Sequence, residues 1–531
     1  MSLSRSRTTW PSAGIFTAVL LGILVARLPL VWAVGLVGGT AVLLLTFINP
    51  LVGLFAALLA APWGAWENIV WGPSLLDSGQ FLLLVTLAVW LGRGLAYRRI
   101  FIPRTFLTVP LVLFIFVSAL SLLNAASLSF GFKELLKWLE ITAVMLLVVD
   151  LFVSREPLAA NRLPITAHGL PLTDYRLRFT YYVLTILLLA GLSQALIGIW
   201  QFGLRGDGPE HFLVLGRFYR AYGTFEQPNP YAGYMNLTAL LAMGTFLGAI
   251  AGVWQRVASG RWQGAGVTYH VSRITHHAPL HLLTLALFTG VTAVLCTLAV
   301  LFSWSRGAWL SLAVGGAMML LFWPKKLWQG VTLLLLAGLF FWSGVQVGVV
   351  PTSITERITS FSEDLRFGDV RGVDINDANY AVLERLAHWQ AALDMARDHI
   401  WLGVGFGNYE PVYAQYALIN WPYPLGHAHN YYLNTLAETG VLGLAAYVVL
   451  WMAVFLQTIC QLRQLDWPLR GMALGLLGAW TAVTVHHLVD KLYVNNIYIH
   501  LGVMFGLLQL LEHERRANST KEGLNQMPVI R

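Results

Sequence analysis

Long apolar runs, one after another with only short polar breaks, constrain this chain more than any other feature. They lie near residues 12–26, 28–48, 50–62, 79–92, 106–123, 133–153, 179–203, 229–253, 280–304, 307–323, 327–349, 430–458, 469–488 and 496–512. A helix needs about 20 mainly apolar residues to cross a bilayer, and a backbone in lipid must satisfy its own hydrogen bonds. Soluble domains carry about 25% charged residues. Here the figure is 11%, against 57% hydrophobic, too little polar surface to cover several soluble cores. The runs predict an all-α polytopic membrane protein with roughly 12 to 14 transmembrane helices. The first run follows Arg5 and Arg7 and has no small-x-small cleavage site after it, so it reads as a retained span.

The net charge of +8 does not point to nucleic acid, because the basic residues sit in short loops between apolar runs. They include Arg5 and Arg7, then Arg93, Arg98, Arg99 and Arg104, then Arg155, Arg162, Arg176 and Arg178. Arg256, Arg261, Arg273, Lys325, Lys326, Arg463, Arg470, Arg515 and Arg516 continue the series. By run parity all fall on one side, which the positive-inside rule makes cytoplasmic. Both termini are then cytoplasmic. The domains read as an N-terminal transmembrane bundle over 1–349, an extracytoplasmic loop over 350–429, C-terminal transmembrane helices over 430–512 and a cytoplasmic tail over 513–531. Cys296 and Cys460 suggest neither a disulfide framework nor a metal site.

The loop is more than a linker. Residues 351–428 hold five arginines, no lysine and ten acids, a net charge of −5. Leu383, Leu386, Trp389, Leu393 and Ala396 recur at helical spacing and predict an amphipathic helix over 381–398, on the membrane or over a cavity. Gly403-Val404-Gly405-Phe406-Gly407 lacks the strand and helix of a dinucleotide loop and reads as a tight turn where backbone meets backbone.

Several polar residues stand where bilayer depth makes them expensive. His429 precedes Asn430, which is placed to cap the next helix. Gly440 and Gly443 follow at spacing that allows a neighbouring helix close. Histidine is the side chain best matched to proton transfer near neutral pH. Arg306 lies in a tight turn between two runs, and Arg217 and Arg220 lie in the 204–228 loop. Arginine binds phosphate oxygens in bidentate fashion, whereas Arg217 is equally well a solvated loop residue. Lys133 and Lys137 read as snorkelling residues with Glu134 and Glu140 as helix-face partners. His427 and His429 without a nearby cysteine or fixed carboxylate make a poor zinc site, so neither a metal nor a cofactor is expected. His486 and Asp490 share a face if their helix persists, and Arg385 lies on the loop helix. Glu226, Glu410 and Glu438 are further candidate helpers.

Together these residues resemble the O-antigen ligase and polymerase superfamily of membrane glycosyltransferases. The resemblance rests on His429-Asn430 followed after nine residues by Gly440-x-x-Gly443. It includes Ser305-Arg306-Gly307-Ala308-Trp309, and Glu384-Arg385…Trp389…Asp398…Gly403-Val404-Gly405…Asn408. Gly223-Thr224-Phe225…Pro228-Asn229…Ala232-Gly233 agrees as well, so the similarity covers roughly residues 180 to 510. It implies a GT-C-like fold, a metal-independent inverting mechanism and a glycan donor on undecaprenyl diphosphate. It implies that His429 is essential and that Arg220 and Arg306 contact the donor diphosphate. The setting it implies is a bacterial cytoplasmic (inner) membrane with the site facing the periplasm or cell exterior. The acceptor is a glycan, lipid or protein hydroxyl. Ligase-type members often have Ser or Thr after the second glycine, where this chain has Leu444, so a repeat-unit polymerase is the second reading. A transporter or flippase of lipid-linked sugars is the alternative of another class, although no internal repeat of the kind such folds show is visible.

Overall fold

The computed structural model describes residues 27–72, 74–98, 103–154, 172–258, 278–349, 351–352, 355, 369–376 and 379–525. The predicted first span and Arg5, Arg7, Arg99, Arg155, Arg162, Arg261 and Arg273 lie outside them. The remaining thirteen apolar runs each coincide with a helix. The chain divides into two compact units, 1–57 with 80–100, and 58–79 with 101–531.

The smaller unit carries α1 (Leu30–Ile48), the start of α2 (Pro50–Ala60) and most of α4 (Ser78–Ala96). Gly53 is what lets α2 meet its neighbours, since a Cβ there would lie 2.2 Å from the Thr86 hydroxyl.

The larger unit holds α3 (Gly64–Trp71), α5 (Thr108–Ser121), α6 (Leu128–Ser154), α7 (Leu172–Gly203), α8 (Pro228–Ala258), α9 (Ala278–Phe302), α10 (Arg306–Phe322) and α11 (Leu327–Gln346). It continues with α12 (Tyr380–Asp398), the short α13 (Tyr409–Val412), α14 (Tyr431–Gln464), α15 (Leu469–His486) and α16 (Ile497–Asn525). A small hairpin pairs β1 (Leu213–Val214) antiparallel to β2 (Phe218–Tyr219), with Leu213 opposite Tyr219. At its centre α8 packs on α9 and α15, α10 packs on α15, α6 on α16, and α5 on α14. Glycine lets α8 and α15 touch backbone to backbone: a Cβ on Gly244 would lie 2.3 Å from the Gly475 nitrogen. Small residues at such crossings replace the hydrophobic drive that lipid removes.

This is an all-α polytopic membrane protein. Seven described helices are long and apolar enough to cross a membrane, and three more are apolar but shorter. Counting by length and composition thus gives fewer spans than the apolar runs suggest. Lys133, Glu134, Lys137, Glu140 and Asp150 take α6 out of the count.

The loop helix is present as α12 and amphipathic, with a shifted stripe. Leu383, Leu386 and Ala396 are buried, but so are Ala387, His388, Ala391, Ala392 and Met395, while Leu393 is exposed. The glycine string beyond it is a backbone-to-backbone turn, with Gly403, Gly405 and Gly407 all at positive φ. The Val404 amide donates to the Ala437 carbonyl (2.9 Å), and the Gly405 amide to the Glu438 carbonyl (3.0 Å). Gly440 interrupts α14 with φ 64°, and a Cβ there would lie 2.3 Å from the Trp401 carbonyl carbon. Its neighbour is therefore the incoming loop, not a packed helix as the Gly-x-x-Gly spacing suggested.

Candidate active site

The site lies where α8, α10 and α14 begin and α15 ends. Asn430 caps α14: its Oδ1 accepts from the amides of Tyr432 (3.0 Å) and Leu433 (3.1 Å). His429, just outside the cap, has φ 50°, a left-handed conformation unusual for a residue with a Cβ. Two contacts hold it there. The His429 amide donates to His427 Nδ1 (3.0 Å), and the Ala428 amide donates to Asn434 Oδ1 (3.1 Å). Because His427 Nδ1 accepts, its neutral ring carries the proton on Nε2. That nitrogen faces Asp490 Oδ1 at 3.6 Å, beyond hydrogen-bond length but within ion-pair reach.

Asp490 was expected to share a helix face with His486. Instead α15 ends at His486, and the chain turns so that the carboxylate reaches His427. Asp490 also shares a side-chain hydrogen bond with Asn229, at the start of α8. Asn229 Oδ1 in turn accepts from Arg220 Nη2 (3.4 Å), and Arg220 Nε donates to the Ser303 carbonyl (2.8 Å). The Ser303–Arg306 turn thereby joins the same cluster. Gly307 abuts Val489, the residue before Asp490, with 2.5 Å from its would-be Cβ to Val489 Cγ2. A continuous series of contacts thus links Arg220 through Asn229, Asp490 and His427 to the backbone amide of His429, with the Arg306 turn packed on the same loop. Arg217 is not drawn in: it is exposed at the hairpin turn and sits over the Phe218 ring at 4.3 Å.

Arg385 faces the cluster from α12. Its Nη1 bonds the Ala381 carbonyl (2.9 Å), its buried Nε has no partner, and its charge acts on His427, His429, His486 and Asp490. One turn on, His388 escaped the sequence reading. Its ring stacks on Tyr413 (4.8 Å), lies 5.5 Å from the His429 ring, and pairs through Nδ1 with the Tyr409 hydroxyl (2.9 Å). Arg385 and His388 are three apart on a helix, a spacing that could have exposed it.

Burial, then the nearby Arg385 and His388, pushes His429 down to about 3. Burial likewise pushes His388 down to about 4 and His427 well below the imidazole range. Burial raises Asp490 to about 6. Removing a charge from water disfavours the ionised form in each case. Lys491 goes up, since Glu134 and Glu438 more than offset the burial that opposes its charge. Its Nζ lies 3.0 Å from Glu134 Oε2. Glu134 also pairs with Lys137, whose Nζ donates to the Tyr493 carbonyl (3.2 Å). Lys137 is therefore an interior anchor of the 487–496 loop and does not snorkel, whereas Lys133 is exposed over the Phe130 ring. Glu438 serves the loop by accepting from the Tyr409 amide (3.2 Å).

The ground for discounting a metal, the want of a carboxylate, does not hold. One ligand atom each from His427, His429 and Asp490 lies within 4.8 Å of the others. The buried His429 Nε2 has no hydrogen-bond partner.

Fold and site together define a polytopic membrane protein with a partly buried polar cluster at one end of its bundle. Residues 291–448 match the protein-family profile described as O-Antigen ligase, and this match supports assignment to the O-antigen ligase/polymerase superfamily. It covers less than a third of the chain and takes in Arg306, Arg385, His388, His427 and His429, but not Arg220 or Asp490. A comparison with curated proteins finds no match. Over residues 291–448 the chain is similar to O-antigen ligases, and its apolar helices make it a membrane protein.

Proposed function

We propose that the protein transfers a glycan from undecaprenyl diphosphate to an acceptor hydroxyl at the outer face of the cytoplasmic membrane, as a ligase. The His429 end then faces the periplasm or cell exterior, residues 350–429 lie outside, and both termini lie inside. The observation that carries the reading is the series of contacts from Arg220 through Asn229, Asp490 and His427 to the His429 amide. It joins an anion-binding group to a base across three stretches distant in sequence.

In this reading Arg306 and Arg220 hold the diphosphate. Their charge stabilises the anion that develops as the bond from the anomeric carbon to the phosphate oxygen breaks. The acceptor oxygen attacks that carbon from the opposite face, which inverts it. Its proton passes to His429 Nε2, and undecaprenyl diphosphate leaves with the bonding pair. A buried, neutral imidazole is ready to accept, and Asp490 with His427 fixes its position. The diphosphate is already a good leaving group, so the step runs without a metal. Arg385 and the apolar face of α12 roof the centre and keep water from competing.

The test is a transfer assay with purified protein, lipid-linked glycan and candidate acceptors, in the absence of divalent cations. His429→Ala in a folded protein lowers transfer by about 10²–10⁴ while donor binding persists; full activity in that variant refutes the reading. Product made only from two lipid-linked repeats would assign the enzyme as a polymerase.

A further inference from the structure

The end of the bundle opposite His429 carries two adjoining cavities of about 220 and 300 Å³, both lined by Gln255, Asp466 and Trp467. The first also takes in Lys325 and Arg470, and the second Arg256. Three cations thus surround one carboxylate. Helix directions place this end: α8 starts at Asn229 beside Asp490 and runs to Arg256, a rise of roughly 40 Å at 1.5 Å per residue. Arg470 is only 6% exposed. Its Nη2 donates to the Trp323 carbonyl (3.0 Å) at the end of α10, and its guanidinium lies 5.0 Å from the Trp467 ring centroid. Its Nε is buried beside the cavity with no partner. Among the described residues no carboxylate lies within ion-pair distance of it. A buried charged donor left without an acceptor is costly, so the place calls for an anion.

We propose that this pocket binds the phosphate of an anionic phospholipid in the leaflet opposite the His429 end. Basic pockets between helices at a membrane boundary suit such headgroups, and arginine matches phosphate geometry. A lipid fits better than a free anion because the surroundings are amphipathic. Trp323 and Trp467 pack at 5.0 Å, the aromatic pairing of a membrane interface. Immediately after Lys325 and Lys326, α11 presents Leu327 and Trp328 outward, 52% and 64% exposed, a surface for acyl chains. The site is independent of the glycan-transfer reading.

Delipidated full-length protein in detergent is titrated with dioctanoyl phosphatidylglycerol, dioctanoyl phosphatidylcholine and inorganic phosphate, with bound ligand read by native mass spectrometry. Saturable one-to-one binding of phosphatidylglycerol is expected, about fivefold weaker in Lys325→Gln at roughly 1 kcal/mol per basic residue. Arg470→Ala should weaken it further. If loss of the Trp323 contact unfolds that variant, Lys325→Gln decides, since its ammonium is exposed. Binding unchanged by Lys325→Gln overturns the site. Equal binding of inorganic phosphate overturns the lipid, and equal binding of phosphatidylcholine overturns the anionic preference.

Discussion

The two ends of the larger unit are built from the same helices and differ in backbone strain. Seven non-glycine residues of that unit have positive φ: Leu215, Glu226, Trp304, Leu425, His429, Asn495 and Asn496. All lie at the His429 end. At the other end, among the described residues, Arg470 closes the last carbonyls of α10 and no residue with a Cβ is left-handed. Each such residue costs about 1–3 kcal/mol unless its surroundings hold it, and strain of this kind collects where geometry serves function. One end has been shaped at the expense of local preference; the other follows it.

The largest test of that contrast is His429→Ala. Transfer should fall by about 10²–10⁴, the contribution of a positioned base, with unfolding temperature kept. Arg306→Ala comes next, with kcat down by about 10²–10³ if it stabilises the leaving diphosphate. A change confined to KM would reassign it to ground-state binding. Asp490→Asn, which keeps shape and removes charge, should lower kcat about tenfold to a hundredfold, the scale of a small misplacement of the base. Wild-type activity should survive chelation by EDTA. Loss restored by zinc would turn His427, His429 and Asp490 from a positioning set into a cation site.

Two smaller effects concern stability. Gly440→Ala should cost about 2 kcal/mol or more, because φ is positive and the Trp401 backbone occupies the space. Gly252→Ala, towards the other end of α8, meets nothing nearer than 3.6 Å and should be neutral or stabilising in a thermal melt. For pH, His388, His427 and His429 bind protons less readily folded than unfolded, where imidazole titrates near 6.5. The unfolded chain takes up more protons as pH falls below that value, so stability is lost on acidification. Asp490, raised by burial, offsets part of this between its unfolded value and about 6. Lys491, held up by Glu134 and Glu438, faces the cluster and stays charged throughout. Unfolding temperature should therefore drop from pH 7 to pH 5, less steeply in His429→Ala.

What could be read from the sequence was what depends on neighbours along the chain. Helix α12, the Asn430 cap and the glycine turn at 403–407 follow from local periodicity, capping chemistry and φ freedom. What could not be read depended on loops meeting in space. Asp490 was assigned to His486 by helical spacing, yet α15 stops at His486 and the carboxylate goes to His427. Lys137 looked like a lipid-facing lysine because the Tyr493 carbonyl that receives its ammonium is 356 positions away. Arg217 read as equally well a solvated loop residue, and the fold decides it: Arg217 sits at an exposed hairpin tip, whereas the Arg220 side chain bonds to Ser303. The N-terminal unit announced its apolar helices but carries none of the site.

The rungs between the glycine turn and α14 bear on how a substrate gets in. Val404 and Gly405 bond to Ala437 and Glu438, and the Val441 amide bonds to the Ile400 carbonyl (2.8 Å). These tie the root of α12 to the helix that His429 precedes. Swinging the cover upward like a hinged flap would strip buried amides of their partners, at about 1–3 kcal/mol each. Traffic along the plane of the membrane, sliding between helices while the cover stays put, breaks none of them.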